Sequence, residues 1–202
     1  MQPEILFYII VLIYSIVIHE IAHGYVAYLF GDNTALYQNR LTLNPVPHVD
    51  PIGSIFLPAL LVLSGSPILA GWAKPVPVSE HNLNPYRLGK FSVAIAGVLV
   101  NMLLAITFVI IGSQMENDYI KSLCSIIALT NTGLAIFNLI PFPPADGYRI
   151  LELFLPWNMK QKIDTWLHQY FLFVMLGMLF FASFVFRIIF PFFQKLIYSF
   201  IF

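Results

Sequence analysis

Two histidines and a glutamate lie inside a long apolar stretch near the start of the chain. The stretch VIHEIAHGYV covers residues 17–26, and His19, Glu20 and His23 are the only acidic, basic or imidazole side chains in residues 5–31. A charged group at the depth of a lipid bilayer costs roughly 2.5–3.5 kcal/mol on insertion scales. Three such groups so close together therefore indicate a function that compensates for this cost.

The three residues follow the pattern His-Glu-X-X-His. On a helix, this spacing places the imidazoles of His19 and His23 on one face, one turn apart, where two nitrogens can bind a single metal ion. The carboxylate of Glu20 then lies where it can hold and deprotonate a metal-bound water, as the general base of zinc hydrolases does. The alternative is a chance match in which both imidazoles hydrogen-bond to backbone carbonyls in a helix bundle.

A catalytic zinc site takes a third protein ligand and keeps one position open. Asp146 is the candidate, because it lies in NLIPFPPADGYRI, just after an apolar segment at residues 120–141. The prolines before it end or distort that helix and Gly147 permits a tight turn, so the carboxylate can point back toward the bundle. An ordinary interfacial turn with a solvated Asp146 is the alternative.

The composition identifies an integral membrane protein. Hydrophobic residues make up 59% of the 202 residues and charged residues only 10%, far from the composition of a soluble domain. Lys and Arg together number 10, as do Asp and Glu, so the chain has no basic surface for nucleic acid and we expect no such partner. A single cysteine, Cys124, excludes an internal disulfide.

Four segments are long and apolar enough to cross a bilayer as helices. They are residues 4–30, 91–112, 120–141 and 164–190. We therefore expect an all-α polytopic membrane protein with about four to six transmembrane or re-entrant helices and short membrane-associated β-strands. The alternating residues of segments 37–46 and 74–78 are the predicted strands.

A further apolar stretch, residues 52–72, is interrupted by prolines and glycines that disfavour one straight helix. A single crossing there would place residue 142 on the opposite face of the membrane from His19 and His23, unless residues 73–90 also crossed back in extended form. We therefore expect a re-entrant or kinked hairpin.

The basic residues predict the orientation of the spans. If the first helix ends in the cytoplasm, only Lys121 lies on the wrong side for this rule. Most basic residues then lie on the cytoplasmic side: Arg40, Lys74, Arg87, Lys90, Arg149, Lys160 and Lys162. We expect a multi-pass protein of the cell membrane with its active site near the cytoplasmic face.

These motifs together resemble the site-2 proteases, a family of zinc intramembrane metalloproteases. The resemblance rests on HEIAH at residues 19–23, AGVLVN at 96–101 and NLIPFPPADG at 138–147. NPVPHVDPIG and GWAKPVPV are further similar to the compact prokaryotic branch without PDZ or CBS domains. Val98 stands where the family commonly has proline, and Ala145 where it usually has leucine.

The resemblance implies a role for each matching residue. His19, His23 and Asp146 would bind one catalytic zinc ion, and Glu20 would be the catalytic base. Asn138 would lie near the metal and steady the substrate backbone or the oxyanion.

Three other polar residues are candidates for accessory roles. His48 and Asp50, in the proline-rich NPVPHVDP, are expected at the active-site entrance, where His48 could cap the open position of the zinc; a structural loop is the alternative. Asn101 has either a polar role at the site or an amide hydrogen bond in helix packing.

The expected function is zinc-dependent endopeptidase cleavage of transmembrane segments in membrane-protein substrates, within the lipid bilayer. One integral-membrane domain over residues 1–202 would contain a catalytic core at about residues 1–155 and a C-terminal helical region at about 156–202. The alternatives are a metal transporter, since intramembrane histidines and acids also line ion pathways, and a non-proteolytic membrane protein that binds metal.

Overall fold

The computed structural model of the chain describes residues 3–56, 59, 60, 63 and 72–202. In this part the chain forms α-helices joined by loops. The helices are α1 (Pro3–Leu29), α2 (Thr34–Tyr37), α3 (Tyr86–Ser113), α4 (Asp118–Asn138), α5 (Asp146–Glu152), α6 (Trp157–Gln169) and α7 (Phe171–Ile201). Short 3₁₀-helices occur at Val46–His48 and Glu80–Asn82, and a π-helix occurs at Pro51–Phe56.

Four of the described helices, α1, α3, α4 and α7, are long and apolar enough to cross a membrane. They contain 27, 28, 21 and 31 residues, against about 20 for one span. Large apolar side chains cover their outer faces, including Ile10, Leu103, Ile106, Phe180 and Phe184. Such a surface is suited to lipid, and the expectation of an all-α membrane protein is confirmed.

Helix α3 lies at the centre and packs against α1 and α4, and α4 also packs against α7. Small residues of α3, such as Ala94, Ala96 and Gly97, are buried in these contacts. Small side chains let helix backbones approach closely, which is how helices associate in membranes. Between α1 and α4, the buried Asn131 donates from Nδ2 to Ser15 Oγ at 3.0 Å.

The C-terminal region differs from the span predicted at residues 164–190. The helix is interrupted at Tyr170, which separates α6 from α7, and α7 continues through Pro191 to Ile201. The prediction extended too far toward the N-terminus, because residues 164–169 belong to the mostly polar α6. Lys121 Nζ lies 5.7 Å from the centre of the Phe202 ring, so α7 ends beside the start of α4.

The predicted strands at residues 37–46 and 74–78 are absent from the described chain, and this part of the prediction is wrong. Residues 72–79 run without regular structure. Pro75 and Pro77 have no N–H to donate to a β-ladder. The N–H of Val76 instead donates to a side chain, the carboxylate of Glu20, at 2.7 Å.

The hairpin predicted at residues 52–72 lies mostly outside the described residues. At its described ends, Trp72 N donates to Gly53 O at 3.2 Å and Ser54 Oγ donates to Trp72 O at 2.8 Å. The chain therefore enters and leaves this stretch at one place.

Asp32, directly after α1, joins that helix to the segment before α3. Its fully buried carboxylate accepts hydrogen bonds from Ser79 N at 2.7 Å, Asn82 Nδ2 at 3.0 Å and Thr34 N at 3.1 Å. Burial alone would raise the pKa of Asp32, but these hydrogen bonds outweigh it and hold that pKa below its ordinary value. Residues 79–82 are thereby fastened to the end of α1.

Candidate metal centre

The structure brings together His19, His23 and Asp146. His19 Nε2 and His23 Nε2 lie 3.0 Å apart, and Asp146 Oδ2 lies 3.1 Å from the first and 3.0 Å from the second. All three side chains are buried. The two histidines stand one turn apart on α1, and Asp146 is the first residue of α5, beyond the turn that follows α4.

The other nitrogen of each imidazole is hydrogen-bonded in a way that orients the ring. His23 Nδ1 lies 2.6 Å from the carbonyl oxygen of Val93, and His19 Nδ1 lies 3.1 Å from Asn101 Oδ1. Because both partners are acceptors, each Nδ1 carries the proton and donates. Each Nε2 is left with a lone pair that faces Asp146 Oδ2. Protein metal sites commonly orient histidine ligands in this way.

The trio fits a zinc ion in its charge, its spacing and its donor atoms. Two lone-pair nitrogens and a carboxylate oxygen repel one another at about 3 Å unless a cation lies among them, and Asp146 Oδ2 is buried without a conventional hydrogen-bond partner among the described residues. Tetrahedral zinc with bonds of about 2.0–2.1 Å separates its ligand atoms by about 3.3 Å, close to the distances seen here. Two imidazoles and a carboxylate are also the donor set of several zinc hydrolases.

Gly97 gives the imidazoles the space they occupy. A Cβ atom at this position of α3 would lie 2.5 Å from His23 Nε2 and 2.6 Å from His19 Nδ1. Any side chain there would displace the rings, so the close packing of α3 against α1 depends on glycine.

Glu20 lies next to the trio in sequence and points toward residues 72–79. Its Oε2 accepts a hydrogen bond from Val76 N at 2.7 Å. One carboxylate oxygen of Glu20 is therefore held by the backbone.

The remaining predicted residues lie in different surroundings. Asn101 is fully buried and its Oδ1 accepts from His19, so its side chain lies at the site. Asn138 Nδ2 donates to Leu134 O of its own helix at 3.0 Å. His48 Nε2 bonds to Thr42 O at 3.0 Å.

Asp50 Oδ1 accepts from Ile52 N at 3.0 Å and from Gly53 N at 2.7 Å. These contacts cap the start of the π-helix, and they match the structural-loop alternative for His48 and Asp50. Among the described residues, the group of His, Cys, Asp and Glu side chains that could hold a metal ion contains His19, His23 and Asp146.

A cavity of about 550 Å³ lies near the trio, although its lining contains none of the three side chains. Residues 75–78 form one wall, and the others come from α3 through Val93 and Ala94 and from α5 with the preceding Ala145. Ala145 directly precedes Asp146, and the carbonyl of Val93 contacts His23. Its mouth carries an ion-pair network in which Lys90 Nζ lies 2.8 Å from Glu80 Oε2 and 3.2 Å from Glu152 Oε2.

Comparison with known proteins gives the family. The model of peptidase family M50 matches residues 112–182, which include Asp146. "Putative zinc metalloprotease YwhC" of Bacillus subtilis (strain 168) is 40% identical over 165 residues, which are 77% of this chain and 72% of that protein. The chain belongs to peptidase family M50.

Membership in M50 confirms the resemblance to the site-2 proteases and supports a metalloprotease function. Rip2 of Mycobacterium tuberculosis (strain H37Rv), which carries the same zinc metalloprotease description, is 30% identical over 142 residues. That match covers 68% of this chain and 53% of Rip2, so the chain spans about half the length of that relative. No solved structure matches the chain.

Sequence reasoning missed two contributors to this M50 site. The carbonyl of Val93 is a main-chain group, which residue identity does not reveal. Gly97 lies in the AGVLVN motif, which was the sequence feature that could have pointed to it. The space that Gly97 leaves for the imidazoles, however, depends on how α3 packs against α1.

Proposed function

We propose that this chain is a zinc-dependent endopeptidase that cleaves transmembrane segments of membrane-protein substrates inside the lipid bilayer. The observation that carries the proposal is the convergence of His19, His23 and Asp146 on one buried point beside Glu20. Two of the helices that bring them there, α1 and α4, are long and apolar enough to cross a membrane. One zinc ion would bind to the three side chains.

When bound, zinc lowers the pKa of a water ligand toward about 7 and polarises a carbonyl group. Glu20 would take a proton from the attacking water on the carboxylate oxygen that Val76 leaves free, and would deliver it to the amide nitrogen of the leaving chain. Asn101 would keep His19 in the tautomer that presents Nε2. Asn138 would need to exchange its bond to Leu134 for one to the substrate backbone.

The substrate must be extended, because a helix hides its carbonyls in backbone hydrogen bonds. The cavity between residues 75–78 and helices α3 and α5 would hold such a segment, and Ala145 in its lining directly precedes the metal-ligand position Asp146. Residues 74–78, although they form no strand in the structure, would supply an extended backbone edge beside the substrate, and residues 37–46 would support it.

We also propose that the site opens near the cytoplasmic face of the cell membrane. The order of the helices places several elements on one side of the four apolar helices. They are the end of α1, the start of α3, and helices α5 and α6. Most of the ten basic residues lie there, as the positive-inside rule requires of a cytoplasmic side.

The test compares Glu20→Gln with wild type in liposomes that contain a single-span substrate. We expect zinc content to remain and cleavage to fall by at least about 1,000-fold, because the general base is removed. Glu116→Gln, an equivalent change at an exposed loop residue, is the matched control and should cleave normally.

Unchanged cleavage in Glu20→Gln would rule out the assigned base. Zinc uptake into the liposomes without cleavage of any substrate would favour the transporter instead, and zinc binding with neither activity would favour a non-proteolytic metal-binding protein.

A further inference from the structure

Arg40 is a buried cation whose partners are backbone carbonyls. Arg40 lies three residues after the end of α2 and is only 5% exposed. Nη2 donates to Lys74 O at 2.7 Å and to Pro75 O at 3.2 Å, and no ion pair to Arg40 occurs among the described residues. Burying a guanidinium without a carboxylate is costly, so a role beyond surface charge is indicated.

The two carbonyls that Arg40 holds directly precede the amide that holds Glu20. Val76 N–H donates to Glu20 Oε2 at 2.7 Å. The Val76 side chain is buried against α1, where a Cβ added to Gly24 would lie 2.7 Å from Val76 Cγ1. The position of the Val76 amide is therefore fixed by the packing of its own side chain against α1 and by the hydrogen bonds of Arg40 to the two preceding carbonyls.

We propose that Arg40 is a positioning residue for Glu20, acting through the peptide backbone of Lys74, Pro75 and Val76. This inference rests on the proposed function, in which Glu20 is the base. One charged nitrogen of the guanidinium, Nη2, donates to both successive carbonyls and so fixes their positions relative to each other. With Oε2 held by Val76, the Glu20 carboxylate keeps one orientation, and its other oxygen is directed at the water it deprotonates.

A role in folding alone and a role in positioning predict different kinetics. Arg40 has no hydrogen bond to the metal-ligand side chains, but it holds the carbonyl of Pro75, which lines the cavity. Loss of Arg40 should lower kcat per mole of bound zinc while the zinc content stays near its wild-type value, and KM does not distinguish the two roles, because residues 74–78 are also the proposed substrate edge. A role only in folding would reduce the amount of active enzyme and its zinc together.

The first variant is Arg40→Met, which keeps the volume of the side chain and removes its donors. We expect kcat to fall roughly 10- to 100-fold per mole of bound zinc, the scale of a small misplacement of a reacting group. Arg40→Lys, which retains one charged donor, should recover part of the loss. Arg87→Met, at an exposed arginine, is the matched control and should have normal kcat.

The second variant removes the amide itself. Val76→Pro deletes the N–H donor in a segment that already has prolines at residues 75 and 77, and it should lower kcat as Arg40→Met does. Val76→Ala shortens the same side chain but keeps the N–H, so its kcat should lie nearer to wild type. Arg40→Met and Val76→Pro break the same chain of contacts. The double variant that combines them should therefore lose no more kcat than the worse of the two single variants.

A readout independent of activity is hydrogen exchange at the Val76 amide, which should be faster in Arg40→Met than in Arg87→Met. Wild-type kcat in Arg40→Met, or a fully multiplicative loss in the double variant, would overturn the inference. If Glu20→Gln abolishes cleavage while Arg40→Met does not lower kcat, the positioning inference alone has failed. If Glu20→Gln cleaves normally, the proposed function has failed.

Discussion

The fit between Gly97 and the two imidazoles predicts that Gly97→Ala weakens metal binding. The added Cβ would begin 2.5 Å from His23 Nε2 and 2.6 Å from His19 Nδ1. To reach about 3.4 Å, where contact becomes ordinary, the His23 ring must move by about 0.9 Å and the His19 ring, whose Cε1 lies nearer still, by about 1 Å. Zinc sites tolerate ligand displacements of about 0.2 Å, so the rings would leave the positions that Val93 and Asn101 give them.

We expect the zinc affinity of Gly97→Ala to fall about 100-fold, the upper end of the loss when ligand orientation is disturbed, or about 2.7 kcal/mol of binding free energy. The assay is competition for zinc against a chelator of known affinity, with circular dichroism to show that the helices are intact.

Gly133→Ala is the matched control, because it is also a helical glycine and its Cβ would lie 3.5 Å from the nearest atom, Phe186 Cε1. Both substitutions gain up to about 1 kcal/mol in helix propensity, so loss of zinc in Gly97→Ala alone cannot come from the helix. Wild-type zinc affinity in a folded Gly97→Ala would refute the packing argument.

Three further outcomes are expected. Asp146→Asn, which keeps the shape and removes the ligand charge, should lower zinc affinity by about 100-fold or more in the same competition assay. Asn101→Leu removes the acceptor for His19 Nδ1 and should cost 10- to 100-fold in zinc affinity; an unchanged affinity would leave Asn101 with packing alone. Because the pKa of Asp32 is lowered in the fold, its contribution to stability is complete above the unfolded value of about 3.9 and is lost as pH falls toward the lower folded pKa. Thermal unfolding of Asp32→Asn should therefore depend less on pH in this acidic range than that of wild type, and parallel curves would contradict the assignment.

The apolar helices were predictable because their signal is local. A run of about 20 apolar residues is readable wherever it occurs, and the spans predicted at residues 4–30, 91–112 and 120–141 overlap α1, α3 and α4. The last helix was placed poorly, since α7 continues through Pro191. Its bounds depend on packing against α4 rather than on composition.

The strand prediction failed for a related reason. Alternation at residues 74–78 does indicate extended backbone, and the backbone there is irregular and non-helical. A strand also needs a partner with matching hydrogen-bonding groups. Here Arg40 and Glu20 take the groups that a partner would use, and no local pattern reveals side chains that lie more than 30 residues away.

The sequence by itself determined the chemistry that is possible. It contains a His-Glu-X-X-His pattern in an apolar helix and an acidic residue, Asp146, after a later apolar segment, and its composition is that of a membrane protein. These follow from residue types and short spacings. Only the tertiary structure decided that Asp146 meets the two histidines, that Val93 and Asn101 orient the rings, and that Gly97 leaves space for them. Contacts between residues far apart in the chain depend on how helices pack, and packing is settled by the whole set of helix surfaces together.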